Sequence, residues 1–283
     1  MLKRFLSSFW QRRRWQYGLL SIIAALSFTV ALPTTSYSLS WQELLLRGVQ
    51  IYQISNISDQ QEIQLGQRIN QQVIQQVNIS QNRRLNRYLD GIGQRLVAES
   101  GRSQLPYTFQ VVEDDSINAF ATMGGFVYIN TGLMKTAENE AELASVVSHE
   151  IAHIVGRHAV QQMRQRAIAS GVLSVAGLDE SSAVNIGVEL ALNLPNSRED
   201  ELEADRLGLE NLRQAGYAPS GMVTFMEKLM AQNRSAVPSL LSTHPATGDR
   251  VQALKAQIDP ATANSGDGLS EQAYRRGIRP LLN

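Results

Sequence analysis

From Trp41 to Ser100, apolar residues recur three and four positions apart, with Ile63, Leu65, Ile69, Val73, Ile74 and Val77 set among glutamines, asparagines and arginines. That spacing predicts helices with one buried stripe. Ser58 followed by Gln61 makes a capping-box start, and Gly101 is expected to close the next helix as a left-handed cap. The period then changes: Tyr107–Val112 and Phe126–Asn130 are β-branched and aromatic runs bounded by turn residues, which predicts strands. Between them, Asn118–Gly125 ends in paired glycines, expected as a tight turn that brings backbone close to a neighbour. From about Asn139 to Arg166 the helical period returns, carrying Leu143, Val146, Val147, Ile151, Ile154 and Val155, and one long buried helix is expected there. Residues 167–195 are nearly uncharged and rich in Ala, Ser, Gly and Val. They read as a loose helical hairpin or a mobile lid, because Asp179, Glu180 and Glu189 interrupt any membrane span. Further helices are expected at about 197–215, 219–232 and 246–258, and the tail after Asp259 carries little pattern.

At 283 residues, with 43% hydrophobic and 18% charged content, the chain can bury a sizeable core without staples. It has no cysteine, so disulfides, thiolate metal sites and cysteine nucleophiles are excluded, and any metal must be held by nitrogen and oxygen. The formal charge of +0 conceals an asymmetry: Lys3, Arg4, Arg12, Arg13 and Arg14 lie in a first stretch without Asp or Glu. Set apart from those five, the body is slightly acidic, which argues against nucleic acid as a partner. The basic start runs into an apolar stretch from Gly18 to Leu32, then Pro33 and small polar residues ending at Ser38. This is the anatomy of a secretory signal peptide, with an apolar core shorter than the roughly 20 residues of a comfortable membrane span. Cleavage after Ser38 is expected; left uncut, the segment would tether the chain to a membrane. The organisation that follows is a signal peptide over 1–38, a helical portion over 39–105, a catalytic domain over 106–260 and a tail over 261–283.

Chemistry concentrates in the long helix. His149-Glu150-Ile151-Ala152-His153 places two imidazoles about 40° apart on one face, one turn from each other, so both can reach one ion. Glu150 leaves the same side, placed to act as a base on a water in the metal's open position. The alternative, two core histidines with Glu150 as their salt partner, would bury three polar groups that each need a partner. His158 would face away from the pair on an unbroken helix and reads as structural unless the helix breaks at Gly156. A third ligand must come from elsewhere, and Ser197–Asp205 is the one dense acidic run. On a helix capped by Ser197, Glu201 and Asp205 share a face, as ligand and as acceptor for a zinc-bound imidazole, while Glu203 points toward solvent. Taken alone, such a run is more often a solvated face. His244, before Pro245, reads unassisted as a surface turn residue.

Four separated blocks carry a resemblance. Asn118-Ala-Phe-Ala with Gly124-Gly125, the His149 to His153 motif, Ser197-Arg198 with Glu201 and Ala204-Asp205, and Thr243-His244-Pro245 with Arg250-Val251 together resemble the HtpX-like and CaaX-prenyl-protease family of gluzincin metallopeptidases. The likeness spans about 110–255, and a signal sequence without multiple membrane spans is similar to the family's small periplasmic members. Met123 departs from the pattern, which often has proline before the glycine pair. The resemblance implies an α+β, predominantly helical, zincin-like catalytic domain with a small antiparallel sheet beside the active-site helix. It implies one zinc ion per chain, with Glu201 as third ligand, Asp205 orienting the site, and His244 near the metal as a transition-state stabiliser or a latch on the fourth position. The expected activity is endopeptidase cleavage of unfolded or misassembled exported proteins of the cell envelope, with an extended substrate added to the strand beside the glycines, expected as an edge. The rival is a latent, chaperone-like binding factor of the envelope that holds zinc without turnover. A deformylase sharing the histidine motif is disfavoured, since its usual cysteine ligand cannot exist here.

Overall fold

Ser58 caps the first helix in the computed structural model, which describes residues 57–169, 180–232, 239–245 and 248–282. The segment read as a signal peptide, residues 1–38, lies outside the described residues. The capping box is formed as expected: Ser58 accepts from the Gln61 backbone, Gln61 reaches back, and α1 runs over Asp59–Gln76 with Ile69 and Val73 buried. Helix α2, Arg83–Ala98, starts at Asn82 and buries Leu85, Leu89, Ile92 and Leu96 along one stripe. Its end is closed by Glu99 and Ser100, whose backbone amides bond Leu96 and Val97. Gly101 is not in the left-handed region, so the expected glycine cap is replaced by these earlier bonds.

Three strands follow: β1 (Thr108–Val112), β2 (Ala119–Thr122) and β3 (Phe126–Asn130). The sheet order is β1-β3-β2, with β3 central and buried along its whole length, so the strand that follows the glycines is not the expected edge; β2, which precedes them, takes that place. The antiparallel pairing expected for the sheet holds for β2 and β3, joined by the glycine turn, while β1 pairs with β3 in parallel and makes the sheet mixed. The turn needs both glycines, because Gly124 and Gly125 have φ of 80° and 100°, a region costly for residues with a Cβ. The neighbour it approaches is α1, where a Cβ on Gly66 would lie 2.2 Å from the Met123 carbonyl oxygen.

After the short α3 (Thr131–Thr136), the expected long helix is two: α4, Glu140–Val155, and α5, His158–Ala169. The break has a physical cause. Gly156 ends α4, and Arg157 turns the chain at φ 56°. Within 167–195, the described part includes α6, Glu180–Asn193, which packs on α1 and α5. The three later helices lie close to where their periodicity puts them: α7 over Arg198–Gln214, α8 over Ser220–Gln232 and α10 over Gly248–Gln257, with the short α9 over Leu240–Thr243 between them. The tail holds α11, Glu271–Gly277, whose Tyr274 is 1% exposed and donates to the Met134 carbonyl at 2.6 Å. Among the described residues no helix is long and apolar enough to cross a membrane.

One apolar core fills the space between α2, β1, α4, α7 and α8, and a second lies beneath α1, β2, α5 and α6. Helix α4 contributes to the first of these cores, packs most extensively on α7 and is buried along nearly its whole length. The polar groups on it are therefore shut away from water, and each must find a partner.

Candidate active site

Helix α4 presents His149 and His153 one turn apart, both 7% exposed, with their Nε2 atoms facing at 3.0 Å. Helix α7 starts at Ser197, whose capping box with Asp200 fixes the rotation that turns Glu201 and Asp205 inward. Glu201 Oε1 lies 3.3 Å from His153 Nε2, and Oε2 lies 3.4 Å from His149 Nε2. His244 ends α9 and is buried at 7% exposure, not at the surface as a lone turn residue would be. Its Nδ1 is 2.9 Å from Glu201 Oε1 and 3.4 Å from His149 Nε2. One donor atom from each of His149, His153, Glu201 and His244 can be chosen so that all lie within 4.8 Å of one another.

Behind these groups stands a set of supports. Asp205 Oδ1 is 3.1 Å from His149 Nδ1, and Arg250 grips Asp205 with two bonds of 2.7 Å. The same guanidinium reaches Glu201 Oε2 at 2.5 Å. Asn196 donates to Glu201 Oε1 at 2.9 Å and lies 3.2 Å from His244 Nδ1. Neither Arg250 nor Asn196 is assigned such a place from sequence. Arg250 is visible only as part of a family block, and Asn196 only as the residue before a helix cap. For His158 the exception holds: the helix does break at Gly156, and the ring returns to within 2.8 Å of His153. Glu203 is exposed as expected, with its carboxylate 3.4 Å from His158 Nε2.

Electrostatics divide the two histidines. Burial works against charge on His149, but hydrogen bonds to Asp205 and Glu201 outweigh it and lift its pKa to about 10. For His153 burial dominates, and the neighbouring His149 adds to it, driving the pKa down to about 3 against the pull of Glu201. Burial alone would raise Glu201, yet the charge of His244 and the bonds from His149 and His153 hold it well below the usual range. Asp205 is likewise depressed, with Arg250 and His149 overcoming burial. Glu150 goes the other way, raised chiefly by burial.

This donor set fits zinc. Two imidazole nitrogens and a carboxylate converge on one point without a sulfur ligand, the composition found in catalytic zinc centres, and His244 adds a fourth donor. Glu150 fits the same reading, since it is 1% exposed and neither carboxylate oxygen has a hydrogen-bond partner. Its nearest such group is His244 Nε2, 3.6 Å from Oε1. A cleft lined by Glu150, His153 and His244 continues along Phe120, Ala121, Thr122 and Met123 of β2 and its turn, and is also lined by Leu190 and Leu194.

Comparison with known proteins bears on the same residues. The chain is 32% identical over 212 residues to the beta-barrel assembly-enhancing protease of Escherichia coli, covering 70% of this chain and 44% of that protein. It is 33% identical over 179 residues to the mitochondrial metalloendopeptidase OMA1 of Schizosaccharomyces pombe, covering 62% and 53%. Against the metalloprotease LoiP of Escherichia coli it is 27% identical over 264 residues, covering 88% and 98%. The chain thus spans about half the length of the first two. The sequence profile of Peptidase family M48 matches residues 83–258, a stretch that holds all four metal-donor side chains and Glu150. With most of the chain matched and a zinc-competent cluster inside the match, this protein belongs to Peptidase family M48.

Proposed function

We propose that this chain is a zinc-dependent endopeptidase of the cell envelope, acting on unfolded or misassembled segments of exported proteins. The observation that carries the reading is a buried carboxylate, Glu150, that lines the cleft with His153 and His244, beside the convergent donors of His149, His153 and Glu201. These three would hold the metal, Asp205 would keep His149 oriented, and Arg250 would keep both carboxylates in place. When bound, zinc polarises a scissile carbonyl and acidifies water. Glu150 takes the proton from the attacking water on a carboxylate oxygen and returns it to the leaving amine, so no covalent intermediate is needed. Its raised pKa, caused by burial, brings it closer to the range useful for moving a proton in both directions.

Strand β2 supports the substrate class. It is an edge, its residues line the cleft, and an extended chain laid beside it would gain main-chain hydrogen bonds while little of its sequence is read. Such binding favours flexible polypeptides over folded ones. The relatives named for barrel assembly and the signal-like start over 1–38 point to an exported setting.

A second reading has its own observation: His244 completes a four-donor set, which leaves no open position. In that closed form the chain would be a latent or chaperone-like zinc-holding factor, and His244 would have to swing away for turnover. Cleavage of an unfolded reporter by purified protein, compared across wild type, Glu150→Gln and His244→Ala, tests both. Loss in the Glu150 variant supports the peptidase, and a gain in the His244 variant identifies a latch. An envelope phenotype that persists unchanged with Glu150→Gln supports the binding factor.

A further inference from the structure

Because the Nε2 atoms of His149 and His153 face the metal position, their Nδ1 atoms face outward, and whatever meets each Nδ1 decides which tautomer the ring keeps. His149 Nδ1 meets a carboxylate, Asp205. His153 Nδ1 meets another imidazole, with Nδ1 of His158 at 2.8 Å, and His158 Nε2 lies 3.4 Å from Glu203 Oε2 and 4.0 Å from Asp200 Oδ1. We propose that His158 is a positioning residue of the metal centre: it accepts the Nδ1–H of His153, passes the hydrogen-bond chain on to Glu203, and so holds His153 in the tautomer whose Nε2 lone pair is free. The proposal rests on His153 being a metal ligand, as read above.

Proton placement follows from that one premise. A ligating Nε2 is bare, so neutral His153 carries its hydrogen on Nδ1 and donates it to His158. His158 Nδ1 is then bare, its own hydrogen sits on Nε2, and that nitrogen faces the Glu203 carboxylate. Each ring nitrogen has a single role. His158 is 1% exposed, so bulk water cannot take its place.

The backbone is shaped for this contact. On a continuous helix His158 would sit about 140° around from His153. Arg157 instead adopts φ 56°, a conformation of modest cost for a residue with a side chain, and its guanidinium is held by Glu62 at 3.0 Å and the Ile57 carbonyl at 2.5 Å. Gly156 leaves room for the returning ring, since a Cβ there would lie 2.5 Å from His158 Nε2.

The test is zinc affinity of the purified chain, measured by chelator competition, with the melting temperature of each metal-free variant recorded alongside. His158→Phe fills the space without an acceptor and is expected to weaken zinc binding by about 10- to 100-fold. His158→Asn keeps an acceptor near the δ position and should recover most of that loss. Gly156→Ala keeps every ring but displaces His158, and should weaken binding as well; with the Asn variant it decides the matter if the Phe variant does not fold. Wild-type affinity in His158→Phe, or a loss in His158→Asn as large as in His158→Phe, overturns the proposal. Undiminished zinc affinity in His153→Ala overturns instead the ligand assignment on which it stands.

Discussion

Glu150 and Asp205 are both buried carboxylates beside the same histidine pair, yet their surroundings set them opposite tasks. Glu150 has no hydrogen-bond partner, so replacing it by the isosteric Gln should leave fold and zinc content unchanged. Peptide hydrolysis should fall by about 10² to 10⁴ or more, because the same group both takes and returns the proton. Full activity in that variant, by a fluorescent peptide assay with zinc measured in parallel, would contradict the mechanism. Asp205 is locked between Arg250 and His149. Asp205→Ala should cost about 3 kcal/mol in denaturant unfolding, the lower end for a broken buried pair since Glu201 still faces Arg250. It should also lower zinc affinity by about 10-fold or more. Since Asp205 is depressed in the folded state, its contribution is present above the ordinary aspartate range and lost as pH falls through its folded-state pKa. In Asp205→Ala that part of the acid sensitivity should vanish, which a pH series of unfolding curves reads directly.

At the scale of elements, the active-site helix and its partner helix are aligned by local signals. Asn139 and Ser197 cap them, and a turn of 100° per residue then fixes which side chains meet. That is why the shared facing of His149, Glu150 and His153, and of Glu201 with Asp205 one turn further on, is legible in the chain alone. What stays hidden depends on distant partners. Arg250 reaches an aspartate 45 residues away, and β1 joins β3 in parallel through a connection that no periodicity reveals. The four residues of β2 merge with the glycine turn and read only as a loop, and the break at Gly156 shows in the sequence only as a possibility, because both flanking segments keep the helical period. The turn and α1 offer a test at this scale. Gly66→Ala would place a Cβ against the Met123 carbonyl, where backbone cannot yield cheaply. A loss of about 1 to 3 kcal/mol is expected, read by thermal or chemical unfolding. A neutral substitution would mean that α1 stands off the turn.

At the scale of the described residues, elements before and after the family-matched stretch pack against it. Tyr274 of α11 fills a buried position and bonds the carbonyl of Met134, so Tyr274→Ala should cost about 3 to 5 kcal/mol although it is not itself a metal donor. A melting curve of the metal-free protein checks this without reference to activity. On the amino-terminal side of that stretch, Glu62 of α1 is clasped by Arg102 at 2.9 Å and Arg157 at 3.0 Å, and Arg102 also bonds the Ile154 carbonyl in the last turn of α4. This clasp bears on where an autonomous unit can be cut. A fragment trimmed to residues 83–258 would retain every metal donor and Glu150, yet it would strand Arg102 and Arg157 without their shared carboxylate and uncover the seat of Ile69 and Val73. Such a fragment should express as an aggregating or zinc-poor species, whereas one spanning 57–282 should keep stoichiometric metal. On that expectation, the unit that folds and holds metal by itself is longer at both ends than residues 83–258, the stretch that the family profile matches.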